Sequence, residues 1–153
     1  MRIKISIVAA VVSALLSFGC LSPHQSTAVD VDVSAWSVPA TLLLPNADTT
    51  TLRDLQLFFR CTDLFSADSA SFRIVFHAPD NTSFEELFLT TFPSKNTAAA
   101  LHPEFIVPYR SQVCFKRSGN YRMQITPLRP LQGVESVGIN ISKSNQTDNH
   151  GQR

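Results

Sequence analysis

A chain of 153 residues with 13 basic and 12 acidic side chains has a formal charge of +1. That balance excludes a nucleic-acid binder and a membrane binder that works by charge. The length fits one domain behind a leader, and 11 phenylalanines supply apolar bulk for its core.

Residues 1–20 read MRIKISIVAAVVSALLSFGC. Arg2 and Lys4 make a basic front, Ile5 to Phe18 are uncharged and largely apolar, and Gly19 is a small residue before Cys20. A basic region, about 7–15 apolar residues and a small-residue cut site describe a secretory signal. The run is shorter than the roughly 20 apolar residues of a spanning helix. A cysteine directly after the small residue resembles the bacterial lipobox, whose thiol is acylated and becomes the first mature residue, although Ser17 stands where that pattern prefers Leu. An ordinary signal peptide and an uncleaved anchor are the alternatives. The expected divisions are a lipoprotein signal peptide over 1–19, a lipidated tether over 20–28, a folded domain over 29–143 and a disordered tail over 144–153.

After the polar tether, VDVDVSAW alternates Val29, Val31, Val33 and Ala35 against Asp30, Asp32 and Ser34, the two-residue period of a half-buried strand. ATLLLP predicts a second strand and LRDLQLFFR a third, with Leu55, Leu57 and Phe59 on one face and Phe58 on the other. SFRIVFHAP predicts a strand burying Phe72, Ile74 and Phe76, then a turn at Pro79, Asp80 and Asn81. SFEELFLTTF reads as a strand on its aromatic and threonine content, and EFIVPYR as an edge segment because of Pro108. SQVCFKR and YRMQITP, joined at Ser118-Gly119-Asn120, predict a hairpin burying Tyr121, Met123 and Ile125. GVESVGINIS predicts a final strand with Val137, Ile139 and Ile141 in register. Seven to nine short strands separated by turns indicate an all-β fold, an antiparallel sandwich or barrel, of which the β-sandwich is the expected form.

Export into an oxidising compartment favours a disulfide between Cys61 and Cys114, worth roughly 4 kcal/mol on the chain-entropy argument. Both also sit in apolar runs where a buried thiol is ordinary, so both states stay open. No nucleophilic elbow, zinc-protease helix or paired-cysteine motif occurs. Glu85 and Glu86 are adjacent and point to opposite faces of a strand. Asp30 and Asp32 share a face, but calcium takes about six to eight oxygens. The reading is a non-enzyme, with no catalytic residue, metal or cofactor. Trp36 reads as a core anchor. Acidic residues crowd the stretch up to Glu104 and basic ones the stretch from Arg110, a split expected to interleave across paired strands. Asp48-Thr49-Thr50 and Asp68-Ser69-Ala70 match the O-glycosylation triplet of exported Bacteroidetes proteins, with Thr49 and Ser69 as acceptors.

Three pieces in order are similar to the gliding-motility lipoprotein GldH family of Bacteroidetes: Cys20 with its short tether, the opening VDVSAW leading to ATLLL and LRDLQLFFR, and the ending GNYRMQITPLRPLQGVESVGINIS, of which PLQGVESVGI is the most specific. The likeness spans Cys20 to Ser142, loosely in the middle, and Cys61 and Cys114 lie outside the pattern. It implies a non-catalytic, palmitoylated lipoprotein held to the bacterial outer membrane by the lipid on Cys20; the residues after Cys20, LSPHQ, lack the acidic cluster of surface-exported lipoproteins, which favours the periplasmic face. It also implies that contact with other cell-envelope proteins supports the gliding and secretion machinery. The other class of function is an exported sandwich that binds a glycan or small ligand.

Overall fold

A computed structural model describes residues 24–93 and 103–144. Among these the chain is all-β: β1 (Gln25–Asp30), β2 (Ala40–Asn46), β3 (Arg53–Cys61), β4 (Ser69–His77), β5 (Ser83–Thr91), β6 (Glu104–Val113), β7 (Gly119–Pro127) and β8 (Val134–Lys143). They form two four-stranded sheets, in the orders β1-β8-β3-β6 and β2-β7-β4-β5, with every pairing antiparallel. The predicted β-sandwich is the observed fold.

The alternating residues do what their period requires. Leu55, Leu57, Phe59, Phe72, Ile74, Phe76, Met123, Ile125, Val137, Ile139 and Ile141 are all buried between the sheets. At one end an aromatic chain packs this core: Trp36 on Phe72, Phe72 on Phe59, then Phe92, Phe65 and Phe105 with ring centroids 4.9–5.7 Å apart. Trp36 is fully buried, its backbone is bridged to Leu131, and its indole nitrogen donates to the Val38 carbonyl at 2.8 Å. It is the core anchor expected.

Three expectations need correction. The first strand begins at Gln25, inside the expected tether, and ends at Asp30. Its ladder follows β8, from Gln25 opposite Ile141 to Asp30 opposite Ser136, and Val31 adds one bond to Glu135. β8 begins at Val134, so Val33 to Ala35 have no strand beside them. Asp32 instead accepts the Ser34 amide at 2.9 Å and turns the chain, leaving Val33 and Ala35 exposed.

The second correction is the hairpin at Ser118-Gly119-Asn120. β6 pairs with β3 and β7 with β2 and β4, so the two runs lie in different sheets. The register shifts around Leu55 opposite Arg110, Gln112 takes a left-handed φ of 56°, and its amide bonds Asp54 at 2.9 Å. This bulge re-aims the chain. Residues 114–118 then cross over, held by the Asn46 amide, which donates to the Phe115 and Arg117 carbonyls at 3.1 and 2.9 Å. The Tyr121 hydroxyl accepts the Arg117 amide at 3.0 Å, a tyrosine corner of the kind that fixes strand crossovers in sandwiches.

The third is the disulfide. Arg53 at the start of β3 lies opposite Val113, whereas Cys61 ends the strand. Eight residues of strand separate the two cysteine environments by about 25 Å, and a disulfide needs Cα atoms within about 7 Å. Cys61 and Cys114 are not joined.

Antiparallel order sets both chain ends of the described domain together. Gln25 opens β1 and Lys143 closes β8 at the end that also carries residues 47–52, 78–82 and 114–118. The aromatic cluster lies at the other end. Ser144, at the end with Gln25 and Lys143, is tied by its amide to the Leu52 carbonyl at 2.9 Å, although the tail was expected to begin with it. Cys20, the leader and residues 145–153 fall outside the described residues.

Candidate functional site

At the end carrying the termini the two sheets do not close on each other. An apolar cavity of about 280 Å³ opens there, walled by Leu55, Phe76, Phe84, Tyr109, Phe115 and Tyr121. Strand alternation aims all of them inward except Phe115, which the 114–118 crossover places there. The β4–β5 turn forms one lip: Pro79 and Asp80 occupy its centre, the Asn81 amide closes it on Ala78 at 3.1 Å, and Asn81 adopts a φ of 63°, which asparagine tolerates better than most residues. Asp80 accepts from the Thr82 amide and hydroxyl at 3.1 and 2.6 Å and pairs with Arg117 at 3.0 Å. The Thr82 bonds, with Arg117 beside them, hold the Asp80 carboxyl below its ordinary range.

One polar cluster closes the side of the cavity where the edge strands β5 and β6 face each other. The Glu86 carboxylate accepts the Tyr109 hydroxyl and both Nε and a terminal nitrogen of Arg110, the former at 3.2 Å. Burial pushes the Glu86 pKa up, but the Tyr109 and Arg110 bonds outweigh it and the net shift is downward. Burial, then the bond to Glu86, drives the Tyr109 pKa well above 10. The Glu86 bond raises that of Arg110. Arg110 also lies 5.7 Å from the Tyr109 ring centre and 6.0 Å from that of Phe84. This cluster and the Asp80–Arg117 pair join the acidic first half to the basic second half, but between edge strands not paired with each other and between loops, instead of across paired strands as expected.

Of the residues singled out in sequence, the fold brings Thr49 and Cys114 together. Cys114 lines the cavity and its sulfur is 3.1 Å from the Thr49 carbonyl. Thr49 is exposed in a loop organised by Asp48, which accepts from the Thr50 amide and hydroxyl and the Thr51 amide at 2.9–3.2 Å. Hydrogen bonds from Thr51 and Thr50 press its pKa far down. Ser69 and Cys61 sit at the opposite end: Ser69 is exposed at the start of β4, and Cys61 is buried under the aromatic cluster.

Sequence reasoning did not find the cavity. Its signal was faint: a Tyr109-Arg110 pair on an edge strand after Pro108, with Phe84 one strand away. Among the described residues no three His, Cys, Asp or Glu side chains converge in a way that could hold a metal. No protein-family model matches the chain, and no curated protein matches it.

Proposed function

We propose that the chain is a non-catalytic lipoprotein of the bacterial outer membrane, anchored through an acyl chain on Cys20. It works by contact with other envelope proteins, in support of gliding and secretion machinery as in the GldH family it resembles. The observation that carries this reading is β5. The other edges are blunted against strand pairing: β1 is six residues long, β2 contains Pro45, and β6 contains Pro108 and a bulge. β5 runs nine residues without proline, and Leu87 and Leu89 on its outer face are 69% and 68% exposed. Such an edge suits addition of a partner strand.

The motif behind the resemblance is accounted for by structural roles. Leu131 bridges Trp36, Gly133 bonds Val33 and Thr62, and Gly138 lies beneath Phe58. A photo-crosslinking residue at Leu89, compared with one at Leu43 on the opposite edge strand, tests the reading in living cells. Envelope proteins captured at Leu89 and not at Leu43 support it; equal capture, or capture of polysaccharide alone, overturns it.

The second reading, a ligand-binding sandwich, is favoured by the cavity. Trp36 and Tyr121 are buried and offer a glycan no stacking surface, which leaves Phe84 and Tyr109 as the aromatics a ligand in the cavity can reach.

A further inference from the structure

The cavity has the wrong chemistry for a sugar and the right one for a hydrocarbon. Its wall is mostly aromatic and aliphatic, with polar atoms from Thr82, Ser83, Tyr109, Arg110, Cys114 and Tyr121, and the Asp80–Arg117 pair stands on one lip. Among the described residues that line it, Arg110 is the one cation and none is acidic. Glu86 engages two of the five guanidinium donors, so the head can still meet a second carboxylate.

The position of the cavity adds an independent argument. Gln25 and Phe115 line a small neighbouring hollow, and Phe115 also lines the cavity. The chain therefore enters the fold one side chain away from it. Cys20 lies five residues upstream, within about 17 Å of Gln25 at full extension. On the proposed anchoring, this end is the one held against lipid.

We infer that the cavity at the terminus-bearing end binds the hydrocarbon chain of a single-chain fatty acid, whose carboxylate is met by Arg110. The inference deepens the ligand-binding reading and takes from the anchor reading only its nearness to membrane. The aromatic wall removes the chain from water, a gain that grows with each buried methylene, while the guanidinium selects an acid over an alcohol by charge-assisted, bidentate geometry.

Calorimetric titration of the full chain carrying Cys20→Ala with decanoate and with decanol tests it. Expected is saturable binding of one decanoate per chain, weakened about tenfold or more in Ala78→Trp and Val113→Trp, whose side chains line the cavity and pack against the core. Two such variants, each checked by circular dichroism, keep the test open if one fails to fold. Arg110→Gln should weaken decanoate several-fold and leave decanol unchanged. No saturable binding at millimolar decanoate overturns the inference, as does full binding in a folded Trp variant. Decanol bound as tightly as decanoate overturns the role of Arg110. Binding by the Cys20→Ala chain but not by the acylated chain would make the protein's own acyl group the occupant, in place of a free fatty acid. If fatty-acid labelling fails to mark Cys20, the anchor reading falls while the decanoate result stands on its own.

Discussion

Phe58 points out of its sheet, yet only 7% of its surface is exposed, because its ring lies over Gly138 on the neighbouring strand. A Cβ at Gly138 would stand 2.2 Å from the Phe58 ring and 2.5 Å from the Thr27 carbonyl oxygen. Gly133 is tighter in kind: at φ +81° its Cβ would stand 2.3 Å from the Phe65 backbone nitrogen. Backbone cannot rotate away as a side chain can. Gly133→Ala should therefore cost at least about 1–3 kcal/mol for the left-handed strain alone, read as a lowered urea midpoint. Gly138→Ala should also destabilise, and Phe58→Leu in the same chain should restore part of the loss. The Glu86 cluster adds a pH dependence. The Glu86 pKa is lowered from 4.5, so in acid the unfolded chain binds more protons; the stability it contributes is present above about pH 4.5 and is lost as pH falls below it. The Tyr109 pKa is raised from 10.0, so its contribution is present below pH 10 and declines above it. Urea midpoints across both limbs should flatten in Tyr109→Phe, which removes the phenol and its bond to Glu86.

Strand existence and facing were legible because alternation fixes which side chains can reach a core. The burial of Phe72, Ile74, Tyr121 and Val137 follows from period two alone. What the strands pair with was not legible. The run from Ser111 to Pro127 carries a good hairpin signal at Ser118-Gly119-Asn120, yet two distant residues redirect it: Asp54 at the bulge and Asn46 at the crossover. Likewise VDVDV kept its faces but lost its last residues, because strand length depends on where the partner begins. The cavity depends on which edge strands fail to close, a property of the two sheets together. Asn46→Ala should cost about 1–3 kcal/mol by leaving the Phe115 carbonyl buried without its donor, measured by urea unfolding with the slope unchanged.

At the scale of the molecule the two ends differ in kind. One is plugged by Trp36, Phe59, Phe65, Phe92 and Phe105; the other is hollow and carries Gln25 and Lys143, where the described domain begins and ends. Cysteine chemistry reports the difference directly. Cys114 should be alkylated in the folded protein and Cys61 only after unfolding, with no peptide linking the two in unreduced digests. A linked peptide would contradict the separation along β3.

The order β1-β8-β3-β6 has a consequence in time. β8, last of the eight strands along the chain, is the only one that joins β1 to β3. Until residues 134–143 are present, β1 has no partner in its sheet and β3 holds only the edge strand β6. A chain emerging from N- to C-terminus can form the β4–β5 hairpin early, but closure of its first sheet must wait for the end. Loop closure over so many residues is slow, and a chain that stays open that long remains threadable through a narrow pore. Ending the chain at residue 133 should leave it protease-sensitive throughout, and later addition of a peptide covering residues 134–143 should restore resistance.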